Sequence, residues 1–109
     1  MKENLNVSLS EILTKTDSFG ITLLFFLLQK MDNYNHLYLS TESIAKSLNT
    51  TRPRVDRYRR NFEKVNILHF IPNFMFVNPS LFWKGNEVER SFEIERYNYF
   101  REHNKILYD

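Results

Sequence analysis

Leu5, Leu9, Ile12 and Leu13 recur at helical spacing behind Ser8 or Ser10 as an N-cap, which predicts a short first helix. Asp17 and Ser18 offer the cap of a second helix that runs to about Met31 and is apolar nearly all round. Such a helix belongs at the centre of a core or in half of a subunit interface. "DNYNH", residues 32–36, has the composition of a turn, and "LYLS" after it alternates like a short strand.

Ser40 or Thr41 caps a third helix, "TESIAKSLN", whose Ile44 and Leu48 face inward at i and i+4. "NTTR" is a tight turn, and Thr51 is placed to cap a fourth helix extending to about Val65. Pro53 is tolerated in its first turn, where the missing amide donor has no partner to lose. "ILHFI" and "FMFVN" read as two strands joined at Pro72 and Asn73, and Asn78-Pro79 ends the hairpin. Asn86, with Glu87 and Glu89 in the first turn, opens a last amphipathic helix over about residues 87–108, supported by Val88, Phe92, Tyr99, Phe100, Ile106 and Leu107. It is expected either to cover the apolar second helix or to pair with its twin in a homodimer.

This order is that of a winged helix-turn-helix. The expected fold is mainly α with a small β-hairpin: an N-terminal core helix pair, a helix-turn-helix at about 41–65, a wing at about 66–78 and the C-terminal amphipathic helix. The only alanine of the chain, Ala45, sits where the third helix must cross the fourth closely.

At 109 residues the chain has room for one core, so residues 1–109 are expected to form a single domain. Hydrophobic residues at 42% and aromatics at 16% argue against disorder. There is no cysteine, which removes disulfides, thiolate chemistry and Cys-ligated zinc, and suits a reducing cytoplasm. The longest apolar run, Ile21 to Leu28 broken only by Thr22, falls well short of the roughly 20 residues of a membrane span, so no membrane partner is expected. Twelve Asn beside a single Ala is a bias typical of AT-rich genomes.

Charge changes the picture more. Residues 46–64 hold seven basic side chains against two acids, a local +5, which leaves −3 for the rest of a chain whose net charge is +2. A basic segment on an acidic background is the pattern of a nucleic-acid-binding face. At about 100° per residue, Val55, Tyr58, Phe62 and Val65 make an apolar stripe on the fourth helix, while Arg57, Arg60 and Lys64 fall opposite and Arg54 and Asn61 flank them. Arg52 and Arg59 lie nearer the other boundary, suited to phosphates or to a structural ion pair. In a major groove, arginine can bond two atoms of guanine and Asn two of adenine. Thr51, Arg52, Arg54, Arg57 and either Arg60 or Asn61 are therefore the expected base readers, and Ser40, Thr41, Lys46, Thr50 and Lys64 the expected phosphate contacts. From Asn66 to Asn78 the wing has no Lys or Arg, only His69, Pro72 and Asn73 as polar or turn groups.

Enzyme chemistry is not expected. His36, His69 and His103 fall on different elements, and two glycines cannot build a phosphate-cradling loop. No cofactor or metal is called for. The expected partner is double-stranded DNA, read by a homodimer; the alternative is a winged-helix interaction module that docks on replication or transcription proteins. Single-stranded nucleic acid fits less well, because the aromatics are not interleaved with the basic face.

The segment "NILHFIPNFMFVNPSLFWKGNE" resembles the RepL family of Firmicute plasmid replication proteins, whose winged-helix region is similarly followed by an Asn-Pro, an aromatic pair and Lys-Gly. The matching positions are Asn78, Pro79, Phe82, Trp83, Lys84 and Gly85, and with the helix-turn-helix the resemblance covers about residues 37–86. It implies a bacterial, cytoplasmic, DNA-associated protein of a plasmid or phage, acting in transcription regulation or in replication initiation and its control.

Overall fold

Helix boundaries in the chain are set by small polar caps and by asparagines in left-handed turns. In the computed structural model, which describes residues 9–104, five helices and three strands follow one another: α1 (Leu9–Lys15), α2 (Ser18–Lys30), β1 (His36–Leu37), α3 (Thr41–Ser47), α4 (Arg52–Lys64), β2 (Leu68–Ile71), β3 (Phe74–Val77) and α5 (Glu87–Asn104). Leu5, Ser8, Ile106 and Leu107 lie outside the described residues. Ser10 falls inside α1 and so is not its cap. Asp17 caps α2 as the pattern requires, its carboxylate accepting from the Gly20 N–H at 2.8 Å. Ser40 rather than Thr41 caps α3, accepting from the Ser43 N–H at 3.1 Å. Thr51 holds the N-cap position of α4 without a side-chain capping bond.

Asn35, Asn49, Asn66 and Asn73 all have φ between 54° and 67°, and no glycine does. The asparagine-rich composition is thus put to structural use, since Asn tolerates this region better than other side-chain-bearing residues. After α3 the Thr50 N–H reaches the Ala45 carbonyl at 2.9 Å, and after α4 the Ile67 N–H reaches Phe62 at 2.9 Å. In both, the left-handed Asn turns the chain so that a bond closes over the helix end, as in a Schellman cap. This stops α4 at Lys64, one residue earlier than the apolar pattern suggests, and leaves Val65 39% exposed rather than in the core stripe.

The sheet is larger than a hairpin. β2 and β3 pair antiparallel around Pro72 and Asn73, and β1 adds to β3, giving the order β1-β3-β2. Of "LYLS" only Leu37 is in a strand, with His36 before it; Tyr38 is exposed. Leu37, Met75 and Phe70 form one row across the sheet and His36, Phe76 and His69 the next. Because side chains alternate, the first row joins Leu68 and Val77 in the main core with Leu23, Leu24 and Leu27 of α2, Ile44 and Ala45 of α3, and Val55 and Phe62 of α4.

The second row faces α5. Tyr97 and Phe100 set their rings 5.3 and 5.9 Å from Phe76, and Phe100 lies 5.3 Å from Phe74. The buried Glu93 brings its carboxylate 3.6 Å from His36 and 3.3 Å from Arg96. Burial pushes the Tyr97 hydroxyl well above its ordinary pKa, and it donates to Asn66 at 2.7 Å. So α5 lies on the outer face of the sheet, where it does not act as a cover for α2; α2 leaves Phe25 exposed. Among the described residues no helix is long and apolar enough to cross a membrane.

The connection from β3 to α5 is held by polar bonds. Asn78 donates to the Asn66 carbonyl at 2.8 Å and accepts from Ser80, Lys84 donates to the Met31 carbonyl at 3.1 Å, and Trp83 donates to Asn86 at 2.8 Å. A Cβ on Gly85 would meet the Trp83 ring at 3.0 Å, so this glycine makes room for the indole; its φ is not positive.

Candidate nucleic-acid interface

Two short helices joined by a three-to-four-residue turn bring α4 across α3, with Val55 and Phe62 buried beneath it. On its opposite side Arg57, Arg60, Asn61 and Lys64 are exposed. The two carboxylates of α4 are both turned towards the hairpin. Asp56 accepts from Arg59 at 2.8 Å and from Arg60 at 3.4 Å. Glu63 meets His69 at 2.6 Å and the Phe70 N–H at 3.4 Å. The outward face of the helix therefore carries Arg57, Asn61 and Lys64 with no acid of α4 among them, and Arg60, bonded to Asp56, at its edge.

The expected contact residues divide into groups. Arg52 and Arg60 share a cleft of about 420 Å³ with Ser40 and Thr41 on the hairpin side of α4. Arg57 and Asn61 border a second cleft of about 370 Å³, walled by Lys15 and Asp17 from the α1 end. Arg54 stacks on Phe19, its guanidinium carbon 4.1 Å from the ring centroid, which draws it towards α2 and away from the middle of the face. Ser40 spends its hydroxyl oxygen on the cap of α3, and Thr50 is half-buried with its N–H bonded to Ala45. Lys46 and Thr51 are exposed and line neither cleft. Lys64 stands about 18 Å along the helix from Arg52, at 1.5 Å per residue, so the two ends of α4 cannot read the same base pair.

Arg59 has a different role from its neighbours. It is 7% exposed, bonded to Asp56, and lies over Phe70 at 3.8 Å. Of the two roles open to it in the sequence, the structural ion pair is the one formed. The only signal was angular: residue 59 stands about 40° from Val55 on the helix wheel, inside the core-facing half. His69, a polar group of the wing in the sequence, is 2% exposed and packed on Phe100 at 5.2 Å, so it presents nothing outward.

On the α1 side, Tyr58 donates to Asp17, and its ring lies 4.9 Å from Phe19. Together with the Gly20 N–H, this bond holds the Asp17 carboxyl below its usual value of 3.8. The N-terminus of α2 is thereby tied to the middle of α4, which fixes the angle at which α4 is presented.

No protein-family profile, curated protein or solved structure matches the chain.

Proposed function

We propose that the protein is a sequence-specific double-stranded DNA-binding protein, with α3, α4 and the β2–β3 hairpin acting as a winged helix-turn-helix and α4 as the recognition helix. One observation carries this reading: Asp56 and Glu63, the only acids of α4, are engaged with Arg59, Arg60 and His69, so that Arg57, Asn61 and Lys64, with Arg60 at their edge, form an outward face whose centre holds no carboxylate of the helix. Such a face matches the major groove, where Arg57 and Arg60 would bond guanine edges and Asn61 adenine, with Lys64 on phosphate. Thr51 at the start of the helix would reach deepest.

The resemblance of residues 37–86 to RepL proteins supports a role on a plasmid or phage, in transcription regulation or replication control. A homodimer would read two half-sites, and the exposed Val88, Phe92 and Tyr99 on α5 favour that helix as its contact.

Titration of duplex DNA across salt concentrations tests the reading. A protein neutralising about six phosphates should lose roughly a thousandfold in affinity between 50 and 200 mM salt. An interaction module docking on a replication or transcription protein would show no such duplex affinity.

A further inference from the structure

The hairpin-side cleft of α4 contains a cation that is fixed before any ligand arrives. Arg59 is pinned by Asp56 at 2.8 Å and lies over Phe70 at 3.8 Å, with 7% of its surface exposed. A guanidinium held in this way loses little rotamer freedom on meeting an anion. Arg52 and Arg60 enter the same cleft from the first and third turns of α4, and the Pro72–Asn73 turn lines it from the hairpin. Its three guanidinium groups face two carboxylates, Asp56 and Glu42, which leaves one positive charge in the lining. One backbone linkage of DNA carries one negative charge, and its two oxygens match the fork of arginine donors.

We propose, on the reading of α4 as a DNA-facing helix, that this cleft seats one phosphate group, a phosphodiester of the DNA backbone. Arg52 donates to its oxygens, and Arg59 supplies a fixed charge behind it. The hairpin has no Lys or Arg between Asn66 and Asn78 and needs none for this task. Phe70 orients Arg59, and the Pro72–Asn73 turn restricts the seat to a strand running alongside α4. The position of α4 along the groove is then set from its hairpin side.

The test pairs variants of the full chain with duplexes in which a single linkage is an uncharged methylphosphonate, the duplex being one obtained by selection for binding. For the unaltered protein, neutralising one linkage on the hairpin side should cost about tenfold in affinity. In Arg52→Ala that linkage should become indifferent while the others keep their effects; Arg52 is exposed at the start of α4, and circular dichroism checks that the fold survives. Arg59→Lys, which keeps the charge and loses the planar stack, should weaken dependence on the same linkage alone. If DNA is bound but no linkage depends on Arg52 or Arg59, the seat is overturned while the DNA reading stands. If no duplex is bound, the DNA reading fails, and inorganic phosphate followed by amide NMR decides the seat. Saturable shifts confined to Arg52, Asp56 and Asn73 would support a site for a free phosphate group; their absence would overturn it.

Discussion

Arg59 lies over the ring of Phe70, its guanidinium carbon 3.8 Å from the centroid, and so fastens the middle of α4 to strand β2. The contact joins the helix with the outward cations to the sheet that α5 covers from behind. It also separates two kinds of arginine on one helix: Arg59 holds α4 in place, and Arg57 and Arg60 are what α4 displays.

Arg59→Ala should therefore destabilise the fold by about 2–4 kcal/mol, because it removes a cation–π contact and leaves Asp56 partly buried with a weaker partner. Arg57→Ala, at an exposed position, should stay within about 0.5 kcal/mol. Urea unfolding of the two variants at neutral pH checks the contrast, and equal midpoints would mean that Arg59 does not tie the helix to the sheet.

DNA affinity should show the reverse dependence. Arg57→Ala combined with Arg60→Ala should lower duplex affinity by roughly a hundredfold, at about 1–3 kcal/mol for each good base contact, with the unfolding midpoint unchanged. Fluorescence anisotropy over a salt series gives both the affinity and the slope. Unchanged affinity in the double variant would sink the recognition-helix reading.

Tyr58→Phe removes the bond that does most to lower the Asp17 pKa, leaving the Gly20 N–H in place. Asp17 titrates lower in the folded protein than in the unfolded chain, so its carboxylate stabilises the fold above about pH 3.8, and that contribution is lost as pH falls through the lower folded pKa. The variant should show an Asp17 carboxyl carbon titrating closer to 3.8 by NMR, and its stability deficit at neutral pH should shrink under acid. A deficit that stays constant down to acid pH would mean that the hydroxyl does not act through the Asp17 carboxylate.

The helices were legible because their caps and apolar spacing are local. Asp17 beside Ser18 and Ser40 beside Thr41 could be offered as caps from sequence alone, and Val55 and Phe62 placed on the buried stripe. What the pattern hid depends on the sheet. Leu68–Ile71 and Phe74–Val77 do not alternate with polar residues because both of their faces are covered, one by the helical core and the other by α5. With no polar face to mark an outside, nothing in these strands said that α5 would sit on them rather than on α2. β1 pairs over only two residues, below what alternation can reveal. In the candidate interface, the outward positions of Arg57, Arg60 and Lys64 followed from helix angle. The burial of Arg59 depended on where Phe70 would fall, which is a tertiary contact.

Ala45 is 4% exposed in the core where α3 meets α4. Ala45→Leu should cost about 1–3 kcal/mol by overpacking that crossing. Because α4 would be pushed outward, duplex affinity should fall even under conditions where the variant is fully folded. Affinity equal to the unaltered protein would mean that the α3–α4 crossing does not govern presentation of α4.

The outer face of α5 leads to the last expectation. Val88, Phe92 and Tyr99 are 70%, 59% and 66% exposed, and on the helix wheel they lie opposite Tyr97, which is buried on the sheet. Three such side chains supply much less than the roughly 800 Å² per partner of a standard stable interface, so self-association in free solution should be weak. On DNA the same contact gains from proximity, since two copies on half-sites about 34–36 Å apart already share one duplex. Phe92→Glu should leave the unfolding midpoint unchanged within about 0.5 kcal/mol, because the ring is 59% exposed. Binding to a two-half-site duplex should lose its cooperativity, with the Hill coefficient falling towards one, while affinity for a single half-site is retained. Cooperative binding that survives the substitution would place the dimer contact elsewhere, with the exposed Phe25 of α2 the next surface to change.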